Sequence, residues 1–259
     1  MLAGNKLRFK ARFHALYAGI SLHGDNVGLR AGWHANKWMV SDLDLFDGIE
    51  EQRSWREDLC DGAVVLRAYA IAFEADLLAG IDSVWRAAPF RHMHTPGGFR
   101  MSVAMTNCGD YGWVTDRTGY RYDAIDPLSG QPWPQMPAAF LCLAQSAAAA
   151  AAAGFVDFMP DACLINCYEP GARMSLHQDK DEQDYRQPIV SVSLGIPAVF
   201  QFGGDVRSDK PVRVPLQHGD VVVWGGSARL RYHGVLALKE ATHPLLGSRR
   251  INLTFRKAG

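Results

Sequence analysis

An α+β fold that is mainly β, with a jelly-roll core behind a mixed α/β front half, is the class this sequence predicts. Three observations carry it. From Cys163 onward, strand-like segments recur at Cys163–Tyr168, Ile189–Leu194, Ala198–Phe202, Val212–Leu216, Asp220–Trp224, Leu230–His233 and Arg250–Arg256, separated by Gly, Pro or Asp turns. Many short strands at this spacing make a β-sandwich or jelly roll. Ahead of them, two stretches carry a helical signature, and residues 91–135 between those two are rich in Gly, Pro, Tyr and Trp.

Taken in order, residues 1–38 show no clean apolar period and hold six Lys/Arg against the single acid Asp25. A basic targeting peptide is one reading, but a continuous apolar core and a small-residue cleavage site are missing. The simpler expectation is that Met39 starts the native chain. Residues 1–40 are then a basic extension, disordered or not native, and 41–259 form a single domain. Ala63–Leu66 reads as a short apolar strand. Phe73–Trp85 places Leu77, Leu78, Ile81 and Trp85 at helical spacing, with Pro89 past its end. Strand pieces such as Met101–Thr106 follow, broken by turns. Met136–Gly154 reads as the second helix: Pro137 suits its start, the Ala147–Ala153 run has the highest helix propensity, and Gly154 suits its C-cap.

Composition excludes little but points in one direction. Hydrophobic residues are 48% and charged residues 21%, the balance of a globular chain with a core. No apolar run reaches the length of a membrane span, so no membrane partner is expected. The five cysteines are odd in number and form no CxxC pair, which fits a reducing cytoplasm better than a disulfide framework. Formal net charge is zero, so any argument for a nucleic-acid partner must come from local features.

The chemistry centres on Leu176–Glu182, read as LHQDKDE. His177 and Asp179 are two residues apart, and on an extended strand such residues point to one face. An imidazole and a carboxylate projecting together are two thirds of the 2-His-1-carboxylate triad that holds non-haem Fe(II). The spacing alone is weak, because any His-x-Asp on a polar strand or turn gives the same string. His218 and Asp220 repeat it in HGDVVVWGG, where a tight turn whose Asp bonds the backbone is the better account. His92 and His94 have no carboxylate nearby, and His243 precedes Pro244 in a loop. His233 ends the RLRYH segment, where a late jelly-roll strand can return beside an earlier one. In RINLTFR, Arg250, Asn252, Thr254 and Arg256 share one face. An edge strand wetting its polar face is the plain account. Two arginines turned into a barrel instead require an anion, because a buried charge must be paired. A dicarboxylate suits bidentate arginine, and Asn166 and Tyr168 alternate to one face of the earlier strand. Trp113, Tyr120 and Tyr122 stand among polar residues and glycines. They read either as plugs of small clusters under loops or as platforms for a flat ligand.

His177, Asp179, His233 and the terminal Arg250–Arg256 pattern resemble the AlkB-type Fe(II)/2-oxoglutarate dioxygenases. TPGG (Thr95–Gly98), MSVAMTNCG (Met101–Gly109), PDACLIN (Pro160–Asn166), SLHQDKDE (Ser175–Glu182), PIVSVSLG (Pro188–Gly195), FQFGG (Phe200–Gly204) and HGDVVVWGG (His218–Gly226) are similar as well. The resemblance covers about residues 42–259 and not 1–38. It implies a double-stranded β-helix, a jelly roll at about 160–259, under a nucleotide-recognition lid at about 90–135. It implies His177, Asp179 and His233 as iron ligands. Asn166, Tyr168, Arg250, Asn252 and Arg256 become cosubstrate contacts, with Arg250 on the distal carboxylate of 2-oxoglutarate. Trp113, Tyr120, Tyr122, Asp181 and Arg207 become substrate contacts. Fe(II) is the implied metal, with 2-oxoglutarate and O2 as cosubstrates. The implied reaction couples 2-oxoglutarate decarboxylation to hydroxylation of an N-methyl group on 1-methyladenine or 3-methylcytosine, with release of formaldehyde. The implied partners are alkylated single- or double-stranded DNA, and RNA as a further substrate, met by a cytoplasmic monomer. Phe99 stands where the family is familiar with Tyr, and Cys167 where a basic residue is familiar. The first departure bears on fine substrate preference, and neither touches the triad. Two alternatives compete: a 2-oxoglutarate dioxygenase acting on a protein or small molecule, and a non-catalytic jelly-roll binding module.

Overall fold

The computed structural model describes residues 54–259; the expectations for residues 1–40, and for the onset of order at Asp42, lie outside them. In chain order the elements are β1 (Trp55–Cys60), β2 (Ala63–Arg67), α1 (Glu74–Ala87), β3 (Arg91–His94), β4 (Arg100–Gly109), β5 (Gly112–Asp116), β6 (Gly119–Asp123), α2 (Ala138–Ala151), β7 (Ala162–Tyr168), β8 (Met174–His177), β9 (Ile189–Gly195), β10 (Ala198–Phe202), β11 (Val212–Leu216), β12 (Val221–Trp224), β13 (His233–Val235) and β14 (Arg250–Arg256). Eight strands form one sheet in the order β1-β2-β12-β9-β14-β7-β4-β3, and four form a second in the order β11-β10-β13-β8. β5 and β6 stand apart as a hairpin. The two large sheets are the layers of the jelly roll.

The central strands of the large sheet are buried on both faces, which is why β9 reads IVSVSLG and β14 RINLTFR with no exposed position. One face carries Ile165, Val190, Val192, Leu253 and Phe255 and meets the helices. There α1 supplies Leu77, Ile81 and Val84, and α2 supplies Phe140, Leu143 and a row of alanines. The alanines allow close approach without forfeiting helix propensity. Phe140 meets Phe255 edge-on, with centroids 6.0 Å apart at 84°. A Cβ on Gly80 of α1 would stand 2.6 Å from the Phe140 ring, so the two helices touch where only glycine fits. The other face looks across to the small sheet, where Leu164, Phe200, Phe202, Val222 and Trp224 fill the space between layers. Burying a Leu or Phe side chain stabilises by about 1.5–3 kcal/mol, so both layers are strongly held. No helix among the described residues is long and apolar enough to cross a membrane.

Three expectations change. The second helix spans Ala138–Ala151 rather than Met136–Gly154; Ala152 is extended, and Gly154 sits in the 3-10 turn Ala153–Phe155. The segment Leu230–His233 is not a strand: a 3-10 turn at Gly226–Ala228 precedes it, and His233 begins β13 instead of ending a strand. The stretch before residue 160 is more regular than its turns suggest. β4 pairs with β7 from Ala104 to Gly109, so its strands extend the jelly-roll sheet and only β5–β6 stands clear of it.

Candidate metal and cosubstrate site

The site begins with a strand pairing. β8 and β13 run antiparallel with His177 opposite His233, and the two rings lie 4.5 Å apart. Gly234 makes this possible, because a Cβ there would lie 2.7 Å from the Met174 carbonyl oxygen. Asp179 reaches the pair by a different route from the one its spacing suggested. β8 ends at His177, so Asp179 stands beyond the strand and no shared strand face places it. It is placed by bonding: Arg229 Nη1 donates to its carbonyl at 2.7 Å, and Arg256 donates to Oδ2 from Nε at 2.9 Å and Nη2 at 2.6 Å. His177 Nε2 is 3.6 Å from Asp179 Oδ1, and His233 Nε2 is 3.7 Å from Oδ2. Ligand atoms of the three residues all lie within 4.8 Å of one another.

The histidines are oriented for a metal. Nδ1 of His177 lies 2.8 Å from the Ser175 carbonyl oxygen, and Nδ1 of His233 lies 3.0 Å from that of Arg231. A backbone carbonyl only accepts, so each Nδ1 carries the proton and each Nε2 keeps its lone pair facing Asp179. Burial and the neighbouring His177 pull the His233 pKa down to about 4, keeping it neutral. Burial works to raise the Asp179 carboxyl, but Arg256, His233 and His177 outweigh it and hold the group well below the usual carboxylate range. Two imidazoles and one carboxylate whose ligand atoms lie this close together are the donor set of non-haem Fe(II).

Behind the triad, β14 and β7 face each other in register, Arg250 opposite Tyr168 and Asn252 opposite Asn166. Arg250 is 2% exposed and stacks over the Tyr168 ring at 4.9 Å. Its Nη2 donates to Ser193 Oγ at 2.8 Å, while Nε and Nη1 are buried without a hydrogen-bond partner among the described residues. Asn166 Oδ1 is unmatched as well. A buried guanidinium with two idle donors is costly unless an anion pairs with it, so these orphaned donors fit a carboxylate cosubstrate. Asn252 is occupied with Ser191 and the Val192 carbonyl, and its Oδ1 accepts from Asn166.

The predicted substrate residues divide. Trp113 and Tyr120 stack diagonally across the β5–β6 hairpin at 5.7 Å and 18°, and Trp113 Nε1 donates to Asp181 Oδ2 at 2.8 Å. Tyr122 is no open platform: it is half-buried, and its hydroxyl donates to Glu182 Oε1 at 2.7 Å. Arg207 is exposed in the loop after β10. His218 and Asp220 stay out of the site. Asp220 accepts from the Ala68 and Gln217 N–H groups, and His218 bridges Gly195 and Glu74. Sequence reasoning assigned no role to Glu182 or Arg229, whose side chains are 2% and 3% exposed and pair at 3.0 Å. Glu182 also faces Arg256 Nε at 3.3 Å. Both look like ordinary surface charges in the sequence. The available signal was LHQDKDE itself, whose length of charge without a hydrophobic period marks a loop that must be neutralised from elsewhere.

A jelly roll bearing this triad in front of a buried, carboxylate-seeking arginine defines a non-haem iron oxygenase. Comparison with known proteins agrees. Residues 62–256 match the family described as the 2OG-Fe(II) oxygenase superfamily. The chain is 58% identical over 217 residues to the alpha-ketoglutarate-dependent dioxygenase AlkB of Escherichia coli strain K12, covering 84% of this chain and 98% of that one. It is 35% identical over 161 residues to the DNA N(6)-methyladenine demethylase ALKBH1C of Arabidopsis thaliana, covering 53% and 35%. The solved structure of OsALKBH1 superposes with a TM-score of 0.70 at 29% identity, covering 78% of this chain and all of that one. The chain belongs to the 2OG-Fe(II) oxygenase superfamily and, within it, to the AlkB-type dioxygenases. It is an Fe(II)-dependent enzyme with 2-oxoglutarate and O2 as cosubstrates.

Proposed function

We propose that this enzyme oxidatively demethylates N-alkylated bases, 1-methyladenine and 3-methylcytosine, in single- or double-stranded DNA and in RNA. The observation that carries the reading is Asp181: an exposed carboxylate two residues past Asp179, held by the indole of a stacked aromatic pair. Methylation at the pairing nitrogen makes these bases flat cations. A carboxylate beside an aromatic face favours a flat cation over the neutral base. The damaged base pairs poorly, so extruding it costs only a few kcal/mol.

In this reading His177, Asp179 and His233 hold Fe(II), each imidazole kept in its tautomer by its carbonyl partner. Arg250 pairs the distal carboxylate of 2-oxoglutarate through its two idle donors. Asn166, Tyr168, Asn252 and Arg256 line the same face, and Arg256 also keeps Asp179 ionised. Trp113, Tyr120 and Tyr122 frame the base, Asp181 selects its charge and Arg207 takes backbone phosphate. Bound metal and cosubstrate supply the oxidative chemistry, by which 2-oxoglutarate becomes succinate and carbon dioxide and the N-methyl carbon leaves as formaldehyde. The free cysteines support a reducing cytoplasm; we place the protein there as a monomer.

The test incubates the protein with Fe(II), ascorbate, 2-oxoglutarate and an oligonucleotide carrying one 1-methyladenine or 3-methylcytosine, read by mass. Loss of one methyl group is expected, and its abolition in Asp179→Ala with the fold retained. Succinate without methyl loss would move the substrate to a protein or small molecule. No turnover of 2-oxoglutarate at all would leave a binding module.

A further inference from the structure

A cleft of about 380 Å³ opens beside Asp181, with walls from three separate segments. Tyr120 and Tyr122 come from β6, Asp181 and Gln183 from the loop after β8, and Ala258 and Gly259 from the segment that follows β14. Asp161 does not line this cleft, yet it joins its walls. Its side chain is 7% exposed and receives three donors, all from one wall. Oδ2 accepts from Lys257 Nζ at 2.6 Å and from the Gly259 N–H at 3.3 Å; Oδ1 accepts from the Ala258 N–H at 2.6 Å.

Its backbone holds the opposite wall. The Asp161 carbonyl accepts from Asp110 at 2.8 Å and Tyr111 at 3.3 Å, at the foot of the β5–β6 hairpin, and its N–H donates to the Arg256 carbonyl at 3.1 Å. That approach needs glycine at 109, where φ is +114° and a Cβ would stand 2.3 Å from the Asp161 oxygen. The third wall is tied in by the Gln183 N–H, which donates to Ala258 O at 3.3 Å.

We propose that Asp161 sets the width of this cleft and is a positioning residue for the modified base; this rests on the reading that the cleft takes the base. The carboxylate is suited to the task because it accepts from an ammonium and two amides at once, which no neutral side chain of that size does. Losing it releases the 257–259 wall and, through Ala258, the loop that carries Asp181. The triad and Arg250 are held by other bonds.

The test uses the full chain and two variants, Asp161→Asn and removal of Ala258–Gly259. Affinity for a fluorescein-labelled single-stranded oligonucleotide with one 1-methyladenine is read by anisotropy. Affinity for 2-oxoglutarate is read by tryptophan quenching. Asp161→Asn keeps the shape and turns one acceptor into a donor facing the amides. Its oligonucleotide affinity should fall about tenfold while 2-oxoglutarate affinity stays within about twofold. The shortened chain, with Asp161 intact, should show the same split, and it decides the matter alone should Asp161→Asn fail to fold. Unchanged oligonucleotide affinity in the folded variants overturns the proposal, and so does an equal loss of both affinities. Wild-type protein with no preference for the methylated over the unmethylated oligonucleotide overturns the base-cleft reading itself.

Discussion

Arg250 is held in a position that is unfavourable on its own. Two of its donors are idle in a closed interior, and burial lowers its pKa. An unpaired buried charge subtracts from stability, whereas an apolar replacement of similar volume often adds about 1–4 kcal/mol. Arg250→Met should therefore raise the urea midpoint of the protein measured without 2-oxoglutarate. It should also erase the stabilisation that 2-oxoglutarate confers on the wild type, about 2.7 kcal/mol at a hundredfold excess over Kd. A variant that is less stable without 2-oxoglutarate, or still stabilised by it, sinks the assignment. The alternation that turns Arg250, Asn252 and Arg256 to one side was legible in RINLTFR, because strand periodicity is local. That Arg256 is bonded to Asp179 while Arg250 is left open was not legible, since the two have the same charge on the same face.

At the scale of elements, the stretch after β8 is a loop held by charge rather than by a ladder. Arg229 donates to the carbonyls of Asp179 and Gln187 and to Glu182 Oε2, and its guanidinium lies 5.5 Å from the Tyr185 ring. Glu182 in turn accepts from Tyr122 on β6, so one buried carboxylate joins the hairpin to the backbone that carries a metal ligand. Removing one partner of a buried pair leaves the other uncompensated. Glu182→Ala should cost about 3–5 kcal/mol in urea denaturation, and Glu182→Gln less, because the amide still offers an acceptor. An Ala variant as stable as the wild type would show that Arg229 finds another anion. The HxD spacing pointed to the right two residues for a reason that holds only in part. His177 is placed by strand pairing, Asp179 by two arginines distant in sequence, and a spacing rule sees neither.

For the whole molecule, the packing of the two sheets buries His233 while His177 beside it stays partly exposed, and the burial of His233 sets a pH dependence. His233 has a folded pKa of about 4 against an ordinary imidazole value of 6.5. The unfolded chain therefore binds more protons between those values, and stability rises with pH across that window. The metal-free protein should lose on the order of 3 kcal/mol as pH falls from about 6.5 to about 4. Asp179, whose folded pKa is depressed, adds its own loss only below the ordinary carboxylate range. His233→Gln should flatten the slope of the urea midpoint against pH above about pH 4; an unchanged slope would mean that His233 is not the group responsible. The two helices, most of the later strands and the inward polar face of β14 follow from the sequence alone, because periodicity is a local property; the three triad residues follow from the family resemblance that the sequence carries. The tertiary structure alone decides that His233 opens β13 opposite His177, that Glu182 and Arg229 are buried, and that β3 and β4 join the main sheet. Pairing register and burial depend on residues about 50 to 100 positions apart, and a one-dimensional pattern carries no record of which distant charge will neutralise which.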